Sequence, residues 1–360
     1  MKNKKRILYG VLDWGLGHAT RSIPLIEELL KAGYSVDILS NGRALMVLKK
    51  EFKSRCNYID SISPYVPQIQ SKFWMGGFIV SLPKQAQAFI AARIASKKII
   101  QKGNYDLVIA DNRLDVYDRK DNSYIMTHNI RFETYFFLRP FFNFFTYLYC
   151  SRFGHVLIPD YEGENALAGR LSNNITFIPK KMLIYLGIIS RVKKKNVKKD
   201  IDYFITLSGP EPQRTTLENL FLSQIKSLKG KIVFSGASPE GSKVHINDKN
   251  IKFYPYLNKD QQEDFLNRSK VIITRSGYTT LMELAEIGIS KAVIIPTPGQ
   301  TEQEYLGKLS EKNRWWHSVD QSDINLSEII SNLKEFKGYS PSWKTEKSVK
   351  KFINIIKKHI

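Results

Sequence analysis

Two groups of residues carry side chains suited to group-transfer chemistry, and they stand near opposite ends of the chain. Near the start, the loop Asp13-Trp14-Gly15-Leu16-Gly17-His18-Ala19-Thr20-Arg21 follows a short apolar run. A histidine titrates near neutral pH and can take a proton from a hydroxyl or steady a phosphate. Asp13, Asp111 and His128 each end an apolar run, where a side chain can act as base or orient one. The plainer alternative is that the aspartates cap helices and His18 caps or packs. Near the other end, Val271-Ile272-Ile273 leads into Thr274-Arg275-Ser276-Gly277-Tyr278-Thr279-Thr280-Leu281-Met282-Glu283. This reads as a strand end, a tight turn and a helix opening. A helix start presents unpaired N–H groups and partial positive charge, which suits phosphate. Gly277 lets the backbone come close, and Glu283 lies about two turns on, where it could accept two hydrogen bonds from a ribose diol. The competing reading is a helix capped by Ser276 with nothing bound.

The surrounding pattern supplies elements to hold these residues. Residues 6–12 read as a buried strand. Ile23, Leu25, Ile26, Leu29 and Leu30 then recur at helical spacing up to Gly33, and 36–39 is a second strand. This is a βαβ unit, which implies a parallel sheet. A long helix is expected over 78–102, with Pro83 near its beginning, and further strands at 106–110, 123–127, 156–158 and 175–178. The basic run Arg191 to Lys199 reads as a solvated linker near a domain boundary. After it the alternation restarts. Strands are expected at 203–207, 231–234, 251–254, 271–273 and 292–296, and helices near 215–228, 259–268 and 301–306. An amphipathic terminal helix is expected over about 342–359. Polar residues at strand carboxyl ends mark the ligand side of such sheets. The expected architecture is α/β: two Rossmann-like domains with a cleft between them, an N-terminal one over 1–184, a C-terminal one over 185–340, and a helix over 341–360 that packs back on the first.

With 360 residues, 42% of them hydrophobic, the chain can build two cores, and 25% charged residues set it apart from disordered chains. Its two cysteines, Cys56 and Cys150, form neither a disulfide framework nor a metal motif. The apolar run after the basic start is too short for a signal segment, and no stretch is long and apolar enough to predict a membrane-crossing helix. The expected location is the cytoplasm, on the inner face of the cell membrane if the protein is peripheral. The net charge of +21 is spread over both halves. It suits an anionic membrane surface, an anionic substrate or nucleic acid, or is a lysine-rich composition with no such purpose. Between Phe132 and Tyr149 the chain is crowded with aromatic residues, flanked by Arg131, Arg139 and Arg152. That combination suits a membrane interface, and equally an apolar core segment broken at Pro140.

Three segments carry a resemblance to a known family. The chain resembles the GT-B glycosyltransferases, and within them family 28, the group around the N-acetylglucosaminyltransferase that forms lipid II; UDP-glucuronosyltransferase-like enzymes are more distant. Gly15-Leu16-Gly17-His18 is similar to that family's Gly-rich loop ending in His. Arg275-Ser276-Gly277 through Glu283 is similar to its nucleotide-binding turn and helix. Pro296, Gln300 and Gln303-Glu304-Tyr305 are similar to its Gln-containing segment. The first loop has fewer glycines than the family pattern, Ser208-Gly209-Pro210-Glu211-Pro212-Gln213-Arg214 replaces a Gly-Gly-Ser type loop, and Glu304 stands for the second Gln of a Gln-Gln pair.

The resemblance implies transfer of a sugar from a nucleoside-diphosphate donor, UDP by family default, to an acceptor hydroxyl, lipid-linked or part of a cell-envelope glycan. His18, Asp13 and Asp111 are then the catalytic candidates. Ser208, Gly209, Arg214, Ser276, Gly277, Thr279, Thr280, Glu283, Gln300, Gln303 and Glu304 would hold the donor. Gly15, Gly17, Thr20, Arg21 and His128 would form the acceptor-side loop. The retaining pattern, a second Glu eight positions after the first, is missing, since Lys291 stands there; an inverting reaction without metal or cofactor is expected. The alternatives are a nucleotide-sugar epimerase or hydrolase of the same fold, and a non-catalytic protein binding nucleic acid or nucleotide-sugars. No nucleic-acid motif is visible, so no nucleic-acid partner is expected.

Overall fold

The computed structural model describes residues 4–64, 74–209, 211–236, 244 and 246–360. Met1 to Asn3 of the basic start and Pro210 of the loop after residue 207 lie outside the described residues. The chain forms two compact units, one of residues 1–190 with 342–360 and one of residues 191–341. The boundary therefore falls at Ser190/Arg191, not after residue 184.

In the first unit the order is β1 (Arg6–Val11), α1 (Gly17–Lys31), β2 (Ser35–Ser40), α2 (Gly42–Phe52), β3 (Asn57–Asp60), α3 (Trp74–Gly103), β4 (Leu107–Asp111), β5 (Ser123–Met126), α4 (Arg139–Cys150), β6 (His155–Ile158) and β7 (Leu183–Tyr185). Its strands, all parallel, lie in the order β3-β2-β1-β4-β5-β6-β7. The central strands β1, β2, β4 and β5 are buried on both faces because apolar side chains alternate between two cores. Ile7, Tyr9 and Val11 with Leu107 and Ile109 face one side, where Ile23, Ile26 and Leu48 pack. Leu8 with Val108 and Ala110 faces the other, against Ile100 and Phe153.

The second unit runs β8 (Ile201–Thr206), α5 (Gln213–Gln224), β9 (Ile232–Ser235), β10 (Ile251–Tyr254), α6 (Lys259–Arg268), β11 (Ser269–Arg275), α7 (Tyr278–Ile287), β12 (Ala292–Ile295), α8 (Thr301–Lys312), β13 (His317–Ser318) and α9 (Leu326–Ser331). Its parallel strands lie in the order β10-β9-β8-β11-β12-β13. The final helix α10 (Thr345–His359) returns to the first unit, where Val349, Phe352, Ile353 and Ile356 join the core of α1 and β1. The indole of Trp343 donates to the carbonyl of Leu186 and anchors its entry.

Several expected elements differ. Residues 175–178 form no strand; the last strand of the first sheet is β7, three residues long. The helix α3 begins at Trp74, so Pro83 lies inside it and not near its start. The basic run is no free linker. Lys193 and Lys195 donate their backbone N–H to Glu263 and Asn267 of α6, Asn267 returns a bond to the carbonyl of Lys193, and Val192 is fully buried. Residues 193–199 are nonetheless exposed along their length, which is why composition alone reads the run as solvated.

The aromatic segment is not core. Among its residues α4 buries Thr146 and Cys150, while Phe136 is 78% and Phe144 57% exposed. On α3, Val80, Ile90 and Ile94 are also exposed, and Phe89 meets Tyr149 of α4 edge-on at 6.2 Å. An apolar patch of this kind marks an interaction surface.

Because Phe352 is fully buried in the first unit's core, F352A is expected to destabilise that unit by about 3–5 kcal/mol in denaturant unfolding. A loss below about 1 kcal/mol would mean that α10 is dispensable to that core.

Candidate functional site

In both sheets the strand order turns back on itself, at β1/β4 in the first unit and at β8/β11 in the second. At such a switch point the connections leave on opposite faces, and the strand carboxyl ends open a crevice for a ligand. Most of the residues singled out above stand at these two places.

At the first switch point α1 starts early. Its first residue is Gly17, so His18 and Arg21 lie inside a helix and not in a loop, one turn apart on the same face. Asp111 is the last residue of β4, buried completely. Its carboxylate accepts from Arg21 Nε at 2.8 Å and from Ser22 Oγ at 3.0 Å, and it pairs with Arg21 Nη2. His18 Nδ1 lies 2.8 Å from Asp111 Oδ1 and 2.9 Å from Arg21 Nη2. Beyond β5, His128 places its Nδ1 3.2 Å from Arg21 Nη1. A guanidinium only donates, so that ring nitrogen of His128 is an acceptor.

The same rule gives His18 two states. A carboxylate only accepts and a guanidinium only donates, so Nδ1 can serve one of them at a time. With a proton on Nδ1 it donates to Asp111, and Nε2 keeps a lone pair that can take a proton. With the lone pair on Nδ1 it accepts from Arg21, and Nε2 carries the hydrogen. Burial would raise the Asp111 pKa, but the charge of Arg21 and the hydrogen bonds from Arg21 and His18 overcome this and hold it below the usual carboxylate range. Burial lowers the His18 pKa, Arg21 pushes the same way, and Asp111 opposes them without prevailing. The result is a neutral imidazole against an ionised carboxylate, the arrangement of a general base with an orienting partner.

Asp13, the third catalytic candidate, serves α2. It accepts from the backbone N–H of Ala44 at 3.0 Å, and a side chain at position 42 would run into its carboxylate. Gly42 also has φ +51, which glycine adopts without strain. Gly15 and Gly17 flank the turn into α1, and Thr20 Oγ1 donates to the carbonyl of Gly17 at 3.1 Å.

At the second switch point Ser208 and Gly209 follow β8, and Ser276 and Gly277 follow the neighbouring β11. Gly209 holds φ +109, which places a bare backbone at this edge. The N-cap of α7 is Gly277 and not Ser276. The hydroxyl of Ser276 donates to the carbonyl of Gln303 at 3.0 Å and its N–H to that of Ile295 at 3.3 Å, so the backbone contact expected from Ser276 is taken up internally. Gly277 has no side chain with which to cap, and Tyr278, Thr279 and Thr280 follow without a carboxylate in the first turn. Among the described residues the space over Gly277 is open: an added Cβ would touch only Thr280 Oγ1, at 4.0 Å. An anion can occupy this end of the helix.

Glu283 lies on the second turn of α7, its side chain 7% exposed and its Oε1 3.4 Å from Arg191 Nε. Burial raises its pKa, while Arg191 and a hydrogen bond with Gln262 work against that. The loop after β12 is braced by α8. Gln303 accepts from both the N–H and the hydroxyl of Thr297, Glu304 accepts from the N–H of Gly299 at 2.9 Å, and Gln303 in turn donates to Gln300. Arg214, 11% exposed, is engaged by Glu211, Glu218 at 3.0 Å and the carbonyl of Gly236 at 2.7 Å. Among the described residues no group of three or more His, Cys, Asp or Glu side chains is placed to hold a metal.

Sequence reading missed Ser22, Arg191, Gln262 and the central part played by Arg21. Arg21 was legible only as a loop residue, because its partner Asp111 is 90 positions away. Arg191 is 92 positions from Glu283 and was lost in a basic run.

Residues 5–62 match the profile described as glycosyl transferase family 1, and residues 211–360 match the glycosyltransferase family 28 C-terminal domain. The UDP-N-acetylglucosamine--N-acetylmuramyl-(pentapeptide) pyrophosphoryl-undecaprenol N-acetylglucosamine transferase of Oenococcus oeni is 31% identical over 108 residues, which span 29% of this chain and 28% of that one. An uncharacterized glycosyltransferase of Methanosarcina acetivorans is 22% identical over 340 residues, 88% of this chain and 86% of that one. The crystal structure of Acinetobacter baumannii MurG superposes with a TM-score of 0.59 at 12% identity, covering 98% of this chain and 99% of that one; at such identity the likeness shows the fold. By its two parallel sheets and by these matches, the chain has the fold of the GT-B glycosyltransferases, and its residues 211–360 match the C-terminal domain of glycosyltransferase family 28.

Proposed function

We propose that the protein transfers a sugar, with inversion, from a nucleoside-diphosphate donor to a hydroxyl of an acceptor, the donor being a UDP-sugar and the acceptor lipid-linked or part of a cell-envelope glycan. The observation that carries this reading is that both switch points are equipped, one with a neutral histidine fixed by an ionised aspartate, the other with an uncapped helix start and a carboxylate two turns on.

In this reading the diphosphate lies at Gly277 and the first turn of α7, with Thr279 and Thr280 beside it and the Ser208-Gly209 edge across from it. Glu283 accepts the ribose hydroxyls. The loop held by Gln300, Gln303 and Glu304 meets the sugar. His18, in the state that donates Nδ1–H to Asp111, takes the acceptor's proton on Nε2. The acceptor oxygen bonds to the anomeric carbon as the bond to the phosphate oxygen breaks, and the electron pair leaves with the nucleoside diphosphate. Helix N–H groups and cations of the chain meet that charge, so the reaction calls on neither metal nor cofactor. Gly15, Gly17, Thr20, Arg21 and His128 shape the acceptor side.

The apolar patch of α3 and α4, in a chain of net charge +21, is proposed to rest on an anionic membrane surface of the cytoplasmic face. No helix among the described residues is long and apolar enough to cross a membrane.

E283A is expected to weaken UDP binding about tenfold or more by calorimetry; unchanged affinity would remove Glu283 from the ribose. Incubating UDP-sugars with the protein, with and without lipid-linked acceptors, tests the reaction: sugar released or epimerised without acceptor points to hydrolysis or epimerisation instead. The acid limb of the rate profile reports His18. Since Arg21 lowers the His18 pKa and Asp111 raises it, R21M should move that limb to higher pH and D111N to lower pH. Limbs that stay in place would show that His18 is not the titrating base. For the patch, F136S with F144S should abolish sedimentation with phosphatidylglycerol vesicles. Equal sedimentation of wild type and variant, or none for wild type, would count against membrane contact.

A further inference from the structure

Three arginines, Arg21, Arg113 and Arg275, are among the largest fully buried side chains. Two of them are neutralised where they stand. Arg21 is on Asp111, and Arg113 makes a two-pronged bond to Asp115 at 2.8 Å on each arm. Arg275 differs. It closes β11 and donates from Nη1 to the carbonyl of Pro296 at 3.1 Å and from Nη2 to that of Gln213 at 2.9 Å. Its Nε is buried without a hydrogen-bond partner. Among the described residues no carboxylate pairs with it. Glu211 and Glu218 engage Arg214, Glu283 engages Arg191, and Glu304 engages the N–H of Gly299.

A buried cation is costly unless something balances it, and dipoles of two carbonyls balance it only in part. Burial lowers the Arg275 pKa to about 10, which leaves the group charged at neutral pH. The three segments it joins are the carboxyl-end connections of β8, β11 and β12. Its own next residues are Ser276 and the open Gly277. The positive charge is therefore held among these strand ends, on a residue two positions before the N-cap of α7, where an anion would complete the balance.

We infer that Arg275 is the standing counter-charge of the donor site, a positioning residue that ties the three strand ends together and holds a positive field where the diphosphate of the nucleotide binds and leaves. This rests on the donor reading above. The field acts through low-dielectric protein, so it favours ligand charge and is indifferent to the base.

The test compares UDP with uridine on the whole protein by calorimetry, for wild type, R275Q and R275K. R275Q keeps amide donors for the two carbonyls but loses the charge; R275K keeps the charge and loses the fork. The expected result is that R275Q weakens UDP at least tenfold while uridine stays within about twofold, and that R275K retains UDP within about threefold. Equal losses of UDP and uridine in both variants would show Arg275 to be a clamp alone, and UDP affinity unchanged in R275Q would remove it from the site. Where R275Q does not fold, R275K decides: retained UDP supports the charge, and parallel loss of both ligands supports the clamp. Wild type that binds none of UDP, ADP, GDP, CDP and dTDP would overturn the donor reading itself, a result distinct from any of these.

Discussion

The constraint on which the structure depends is the reversal of strand order in each parallel sheet. Strands that are all parallel and buried on both faces have no room for polar chemistry along their length. Such chemistry is confined to their ends, and the one place where the edge opens is where successive connections leave on opposite faces. The β1/β4 pair presents Asp111, and α1, following β1, presents His18 and Arg21. The β8/β11 pair presents Gly209 and Gly277. Two unrelated sets of side chains thus occupy equivalent positions in two units, because the same topology leaves the same position open.

The two sites manage buried charge in opposite ways. In the first, Asp111 collects Arg21, His18 and Ser22, so the ion pair is closed within the protein. Its product is a histidine whose tautomer is tied to a choice between Asp111 and Arg21. In the second, Arg275 is given only carbonyls among the described residues, and the uncapped start of α7 adds positive potential of its own. The first arrangement is self-sufficient and orients a proton acceptor. The second carries an uncompensated charge and suits an anionic ligand.

The exposed rings of α3 and α4 belong to a different part of the first unit's design. Here α4 keeps Thr146 and Cys150 inward and sends Phe136, Phe141 and Phe144 of its neighbourhood outward. Burying those rings in the core would be favourable, so their exposure is a feature that stability within one chain does not explain. It accompanies a chain whose net charge is +21 and whose helices include none fit to span a bilayer among the described residues.

The sequence by itself determined the alternation of strands and helices, the two-unit architecture and the positions of the two motifs. Local periodicity and turn residues are enough for that, because apolar alternation and helix spacing act over a few neighbours. Even the amphipathic face of α10 was legible. The sequence did not determine that α1 begins at Gly17, that Asp13 is drawn off to α2, or that Ser276 turns its N–H and hydroxyl inward. Nor did it determine that 175–178 stays out of the sheet, or that the basic run is fastened to α6. Those outcomes depend on which distant group reaches each donor and acceptor first. Arg21 finds Asp111 across 90 positions, Arg191 finds Glu283 across 92, and Arg275 meets the carbonyls of Pro296 and Gln213. Hydrogen bonds and ion pairs are short-ranged and saturable, so only the folded chain, by bringing those partners within about 3 Å, decided which candidate residues stand together and which brace their neighbours.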